Sequence, residues 1–131
     1  MERSADWLKQ AKRDLEKAEL DLKNEFYEWC CFTAQQSAEK AVKAVYQKLN
    51  FSVKGHSIVK MLEELQSATV EISEELSHAA KILDRYYIVS RYPNGFPEGS
   101  PADFFDNKIA QEALDAAHKI VRFCDDKVST I

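Results

Sequence analysis

The residues with most to offer chemically fall in one short run, Leu83-Asp84-Arg85-Tyr86-Tyr87-Ile88-Val89-Ser90-Arg91-Tyr92-Pro93. It sets two guanidinium groups and three phenols at what reads as the end of a helix, beside a loop able to cover a small cleft. Arginine is the side chain suited to bidentate phosphate contact, and tyrosine can stack on a base or donate to an oxygen. Arg85, Arg91, Tyr92 and Tyr86 are therefore the candidate ligand-binding residues. Residue types alone also allow a plainer arrangement, in which Asp84 pairs with a nearby basic residue and the tyrosines fill the core.

Catalytic candidates are sparser. His56, His78 and His118 fall on different expected helices or their edges, and none has a metal partner three or four residues away. His56, just before the third helix, reads first as a capping or packing residue, and His78 and His118 as exposed or interfacial. If catalysis occurs, Arg85, His56 and His78 are the groups to examine. Glu63-Glu64, Glu74-Glu75 and Asp125-Asp126 are sequence neighbours, so on a helix each pair diverges by about 100° and makes a poor catalytic dyad. No glycine-rich dinucleotide loop, Walker loop, nucleophile elbow or His-Glu-x-x-His pattern occurs, so neither cofactor nor metal is expected. Cys30, Cys31 and Cys124 form an odd set without zinc-ligand spacing, which suits a reducing, cytoplasmic compartment.

The elements that must position these groups are helices. The 131 residues contain three glycines and three prolines, and five of those six (Pro93, Gly95, Pro97, Gly99, Pro101) lie in one nine-residue window. Every other connection must be short and polar, which favours a helical bundle, read as a single domain over 1–131. The net charge of −4 provides no global field for phosphate backbones. Any RNA or nucleotide must then be held by a local patch, and no DNA partner is expected. The N-terminus lacks the apolar stretch of a signal peptide, and no run approaches the roughly 20 apolar residues that span a bilayer. No membrane association is expected.

Apolar periodicity divides the chain further. A first helix, capped by Ser4, carries Trp7, Leu8, Ala11, Leu15, Ala18 and Leu22 on one stripe. A second runs from beyond the turn at 24–28 to about Asn50, with Ala34, Ala38, Ala41 and Ala44 allowing close approach of a neighbour. Gly55 suits a positive φ. Ser57 caps a short third helix and Ser73 a fourth, which should end near Ser90 or Arg91 because Pro93 disfavours α conformation before it. Ser100-Pro101-Ala102-Asp103 reads as a cap leading into the last helix, with a first turn that can stand apart from it. The expected fold is all-α: an antiparallel up-and-down bundle of about five helices, a four-helix core plus a short helix, with a proline- and glycine-rich loop between the last two. Aromatics gather at the start of helix two (Phe26, Tyr27, Trp29, Phe32) and around the long loop (Tyr86, Tyr87, Tyr92, Phe96, Phe104, Phe105), where they pack a bundle end or form a dimer face.

Ala38-Glu39-Lys40-Ala41-Val42-Lys43-Ala44, then Gly55-His56-Ser57, Leu62 to Leu65, and Arg85 to Pro93, together with the Trp7-Leu8 opening, resemble the HEPN family (higher eukaryotes and prokaryotes nucleotide-binding domain) over nearly the whole length. The resemblance implies an up-and-down bundle forming a homodimer, often paired with a small nucleotidyltransferase in toxin–antitoxin modules. Many such proteins are metal-independent RNA endonucleases with an Arg-x4-6-His motif, often continued as His-x-Tyr. On this chain Arg85 matches the arginine and Tyr92 the tyrosine, while Ser90 stands where the histidine would be. Serine has no near-neutral pKa with which to move a proton, so Arg85, Arg91 and Tyr92 read as binding phosphate rather than cutting RNA. The endonuclease alternative requires a displaced histidine, His56 or His78. A third alternative is a non-catalytic helical adaptor.

Overall fold

The computed structural model of the chain describes residues 2–131 and contains no strand among them. The helices are α1 (Ser4–Lys23), α2 (Tyr27–Lys48), α3 (Ile58–Ser67), α4 (Glu74–Asp84), α5 (Tyr86–Val89), α6 (Pro101–Phe104) and α7 (Asn107–Thr130), with a 3₁₀ turn at Pro93–Gly95. The bundle expected from the periodicity is present: α1, α2, α4 with its continuation α5, and α7 form the core, and α3 is the short extra helix. None of the described helices is long and apolar enough to cross a membrane.

α2 occupies the centre, packed against α1 and α7 and touching α3, α4, α5 and α6 as well. Its four alanines, Ala34, Ala38, Ala41 and Ala44, are fully buried, so neighbouring backbones approach where a larger side chain would hold them apart. A helix enclosed on several sides cannot confine its polar residues to one wet face. Gln35, Ser37 and Glu39 are buried in it, and each must find a partner inside. Ser37 Oγ does so by donating to the Ala11 carbonyl of α1 at 2.6 Å. Leu65, Leu83 and Ile120 close the core from α3, α4 and α7, each stabilising the fold by about 1.5–3 kcal/mol through burial. Cys30, Cys31 and Cys124 are buried and free. Burial pushes the Cys30 thiol up to about 12 and raises the other two as well.

Local signals fix most of the boundaries. Ser57 Oγ accepts from Lys60 N and Ser73 Oγ from Leu76 N, each at 3.1 Å, as helix caps. The Asp103 carboxylate accepts from Ser100 N and Oγ, and Pro101 opens α6. α6 stands apart from α7, which has its own cap in Asp106, accepting from Ile109 N at 2.9 Å.

Two boundaries differ from expectation. Ser4 lies buried inside the first turn rather than capping it; Arg3 holds the cap position, and the Glu2 carboxylate accepts from Ser4 N. Helix four does not run unbroken to Ser90. Its hydrogen-bond ladder lapses at Arg85, whose backbone stays helical at φ −61°, ψ −27°, and resumes as α5. The lapse falls where Asp84 reaches across to α3, and one turn later side chains of Ser90 and Arg91 occupy the Tyr86 and Tyr87 carbonyls.

Gly55 has φ +86° with open space around a would-be Cβ. Gly55→Ala should therefore cost about 1–2 kcal/mol through backbone strain alone. Urea denaturation checks this, with an unchanged m-value because no packing is disturbed.

Candidate functional site

The site is built outward from Glu39, a carboxylate on the central helix that is only 4% exposed. Gln35, Glu39 and Lys43 follow one another at four-residue steps, so α2 brings them to one face. Gln35 Nε2 donates to Glu39 Oε1 at 3.2 Å, and Lys43 Nζ lies 3.0 Å from Oε2. The remaining partner comes from the loop after α2: His56 Nδ1 is 3.1 Å from Oε1 and 3.2 Å from Oε2. Gln35 Nε2 also donates to the His56 carbonyl at 3.2 Å. Backbone and ring of His56 are thus both fastened to α2.

The outer side of His56 meets α5. Its ring stacks on Tyr87, with centroids 4.4 Å apart and planes 17° from parallel. Asp84 does not pair with a base. Its Oδ1 accepts from Ile58 N at 2.8 Å, and its Oδ2 from Val59 N at 3.1 Å and Ser57 Oγ at 2.9 Å, which places the carboxylate at the positive end of α3. With Asp84 so committed, the next residue, Arg85, stands exposed. None of the ion pairs among the described residues involves it. A pocket of about 290 Å³ opens here, lined by His56, Ser57, Asp84, Arg85, Tyr87 and Ile88.

The other sequence candidates lie around this pocket rather than in it. Arg91 is half-buried: its Nε and Nη2 donate to the Tyr87 carbonyl at 3.0 and 2.7 Å. Its guanidinium carbon lies 4.3 Å from the centre of the Phe32 ring, 4.9 Å from Tyr87 and 5.0 Å from Tyr92, a cation–π setting. Tyr92 is half-exposed on the edge of that cluster. Tyr86 turns inward against Phe105, edge to face at 5.6 Å, and burial raises its phenol above the usual range. Ser90, at the histidine position of the nuclease motif, is 1% exposed and donates its hydroxyl to the Tyr86 carbonyl. It faces no cleft.

His78 lies elsewhere, in a groove of about 560 Å³ between α4 and α7 that also holds Lys108, Glu112 and Lys119. His118 Nε2 pairs with Glu19 of α1 at 3.0 Å. No group of three or more histidine, cysteine or acidic side chains placed to hold a metal ion occurs among the described residues.

The HEPN domain model matches residues 4–127. The chain belongs to the HEPN family. Three solved structures agree with that assignment. A protein from Thermus thermophilus is 42% identical, with 97% of this chain and 99% of that one aligned at a TM-score of 0.93. An archaeal HEPN homologue is 35% identical over 98% and 99% of the two chains, at 0.83. A HEPN domain protein from Thermotoga maritima is 42% identical over 95% and 98%, at 0.78. No curated protein matches at a significant level.

In this HEPN chain the structure brings together two of the sequence candidates, Arg85 and His56, and adds three residues not singled out as site residues: Glu39, Ser57 and Tyr87. A signal for Glu39 was present, since its four-residue spacing to Gln35 and Lys43 is visible in the sequence. That its face was buried was not. Lys43 provides the countercharge to Glu39, with side-chain exposures of only 14% and 6%. Lys43→Met should strand the carboxylate and lower the unfolding free energy by about 2–4 kcal/mol, read by chemical denaturation. A change under about 0.5 kcal/mol would mean that Gln35 and His56 suffice.

Proposed function

We propose that this HEPN protein is a dimeric module that binds the phosphate of a nucleotide or RNA at Arg85, and acts with a small nucleotidyltransferase in a toxin–antitoxin-like pair. The observation that carries the reading is the exposed Arg85 guanidinium, free of any carboxylate, at a pocket walled by the His56–Tyr87 stack. A guanidinium without a carboxylate partner keeps donors of its fork for an incoming anion. The stacked rings and Ile88 give the same pocket an apolar wall for a base or sugar. Arg91 and Tyr92 support the site from behind Tyr87.

Dimerisation is favoured by Ile88, Tyr92 and Phe104, apolar side chains that each leave about half of their surface exposed. The nucleotidyltransferase partner rests on the family resemblance. A second reading, metal-independent RNA cleavage, is favoured by one observation: His56, unlike Ser90, shares a pocket with Arg85. Its proton-transfer group would then come from the loop before α3 rather than from the helix that carries the arginine.

Isothermal titration with ATP and with single-stranded RNA tests the binding reading. Arg85→Ala should weaken the interaction about tenfold while shifting unfolding free energy by less than about 0.5 kcal/mol, as expected of an exposed side chain. No heat with any nucleotide or RNA would leave a helical adaptor as the better description.

A further inference from the structure

α4 and α7 run antiparallel, and a groove follows the seam between them. Its first stretch, of about 560 Å³, lies between Glu75 to Ile82 of α4 and Asn107 to Lys119 of α7. A second, of about 470 Å³, continues past Leu76 and Phe123 towards the end of α7. Neither shares a lining residue with the pocket at Arg85. The first stretch alone follows α7 for roughly 18 Å, so it is elongated, as a site for a rod-shaped guest must be. Its floor includes Ala79 and Ala116, both buried. Small side chains there let the backbone of a third helix come close to the two already packed.

The walls of this groove carry a pattern of charge. Along α7 the exposed side chains Lys108, Glu112, Asp115 and Lys119 read base, acid, acid, base, and Glu75 adds a third carboxylate from the α4 wall. None of these five joins an ion pair among the described residues. Lys108 with Glu112, and Asp115 with Lys119, have the four-residue spacing at which helical pairs meet, and elsewhere that spacing does close, as Lys17 with Asp21. The groove charges thus remain available to a guest. With the floor already covered, they decide which guest is accepted.

The order of signs is the same read from either end of α7. A two-fold axis laying α7 on the α7 of a second copy, centred on the pattern, would set Lys108 on Lys119 and Glu112 on Asp115, like charge on like. A nucleic acid strand would bring its phosphates to three carboxylates. The complement is a helix that reads acid, base, base, acid.

We propose that the α4–α7 groove seats an amphipathic helix of a partner protein, with a small apolar inner face, basic residues at its middle and acidic residues about three turns apart at its ends. Glu75, Glu112 and Asp115 hold the basic middle, while Lys108 and Lys119 hold the two acidic ends and fix the register. The proposal is independent of the phosphate-binding reading.

The test uses the full chain and two synthetic helical peptides of one composition, each with the same alanine–leucine face, two lysines and two glutamates. The first carries the lysines at the centre and the glutamates at the ends; the second exchanges them. Net charge and apolar area are then equal, and only the order differs. Fluorescence anisotropy at low ionic strength should show the first binding about tenfold more tightly, as several exposed ion pairs together supply, with the ratio shrinking in added salt. The combined variant Lys108→Glu, Glu112→Lys, Asp115→Lys, Lys119→Glu should reverse the preference. If it does not fold, the milder Glu112→Gln with Asp115→Asn decides, and should reduce the preference to less than threefold.

Equal affinity for the two peptides, binding of neither, or a preference that survives the charge changes overturns the proposal. Sedimentation equilibrium of the protein alone provides the other check: its mass should be the same in wild type and variant. A wild-type assembly that falls apart in the variant would make a second copy of the chain the occupant and overturn the partner helix.

Discussion

A carboxylate buried in the middle of a helix bundle is costly unless every lone pair is met, and Glu39 meets that condition in a way that organises everything outside it. Two of its partners, Gln35 and Lys43, come from its own helix one turn away in each direction. The third, His56, comes from the loop that follows α2. The loop is thereby pinned to the bundle's central rod, and the position of His56 follows from the hydrogen-bonding needs of a buried carboxylate.

From that pin the rest of the site follows by contact. His56 supplies the surface on which Tyr87 stacks, and Tyr87 belongs to α5, the short piece that continues α4. The residue before the lapse in α4, Asp84, reaches across to the first amides of α3, so the two ends of the α3–α4 unit are tied at the same place where α2 holds the loop. Arg85 sits at the joint between these ties. Two aromatic groups far apart in sequence also meet there, because Phe32 of α2 lies 6.4 Å from Tyr87 and both flank the Arg91 guanidinium.

Much of the architecture was legible in the sequence because helical stripes, serine caps and a proline stop are local signals. Ser57, Ser73, Gly55 and the Ser100 to Asp103 cap each declare themselves within four residues. Ser4 misled for a local reason: the helix starts one residue earlier than expected, with Asp6 N and Trp7 N donating to the Arg3 carbonyl and Ser4 N donating to the Glu2 carboxylate. The site was less legible because it depends on which side of a helix faces inward. Tyr86 and Tyr87 are indistinguishable by type and stand about 100° apart on the helix; one enters the core beside Phe105 and the other stacks on His56. Asp84 likewise reads in sequence as a partner for a nearby basic residue, yet the carboxylate serves a helix 25 residues upstream. The family resemblance directed attention to Arg85, Ser90 and Tyr92, but that His56 shares a pocket with Arg85 is a fact of three-dimensional packing alone.

The capping of α3 has one more consequence. The start of a helix is ordinarily a place where an anion is welcome, but here the chain has installed its own anion, Asp84, so that backbone amides contribute nothing to a phosphate arriving next door. In the proposed binding, capture would fall on the exposed Arg85 guanidinium alone, where counter-ions compete. On the proposed reading such a berth would exchange its occupant quickly, and with one charge contact its affinity would fall only about in proportion to added salt.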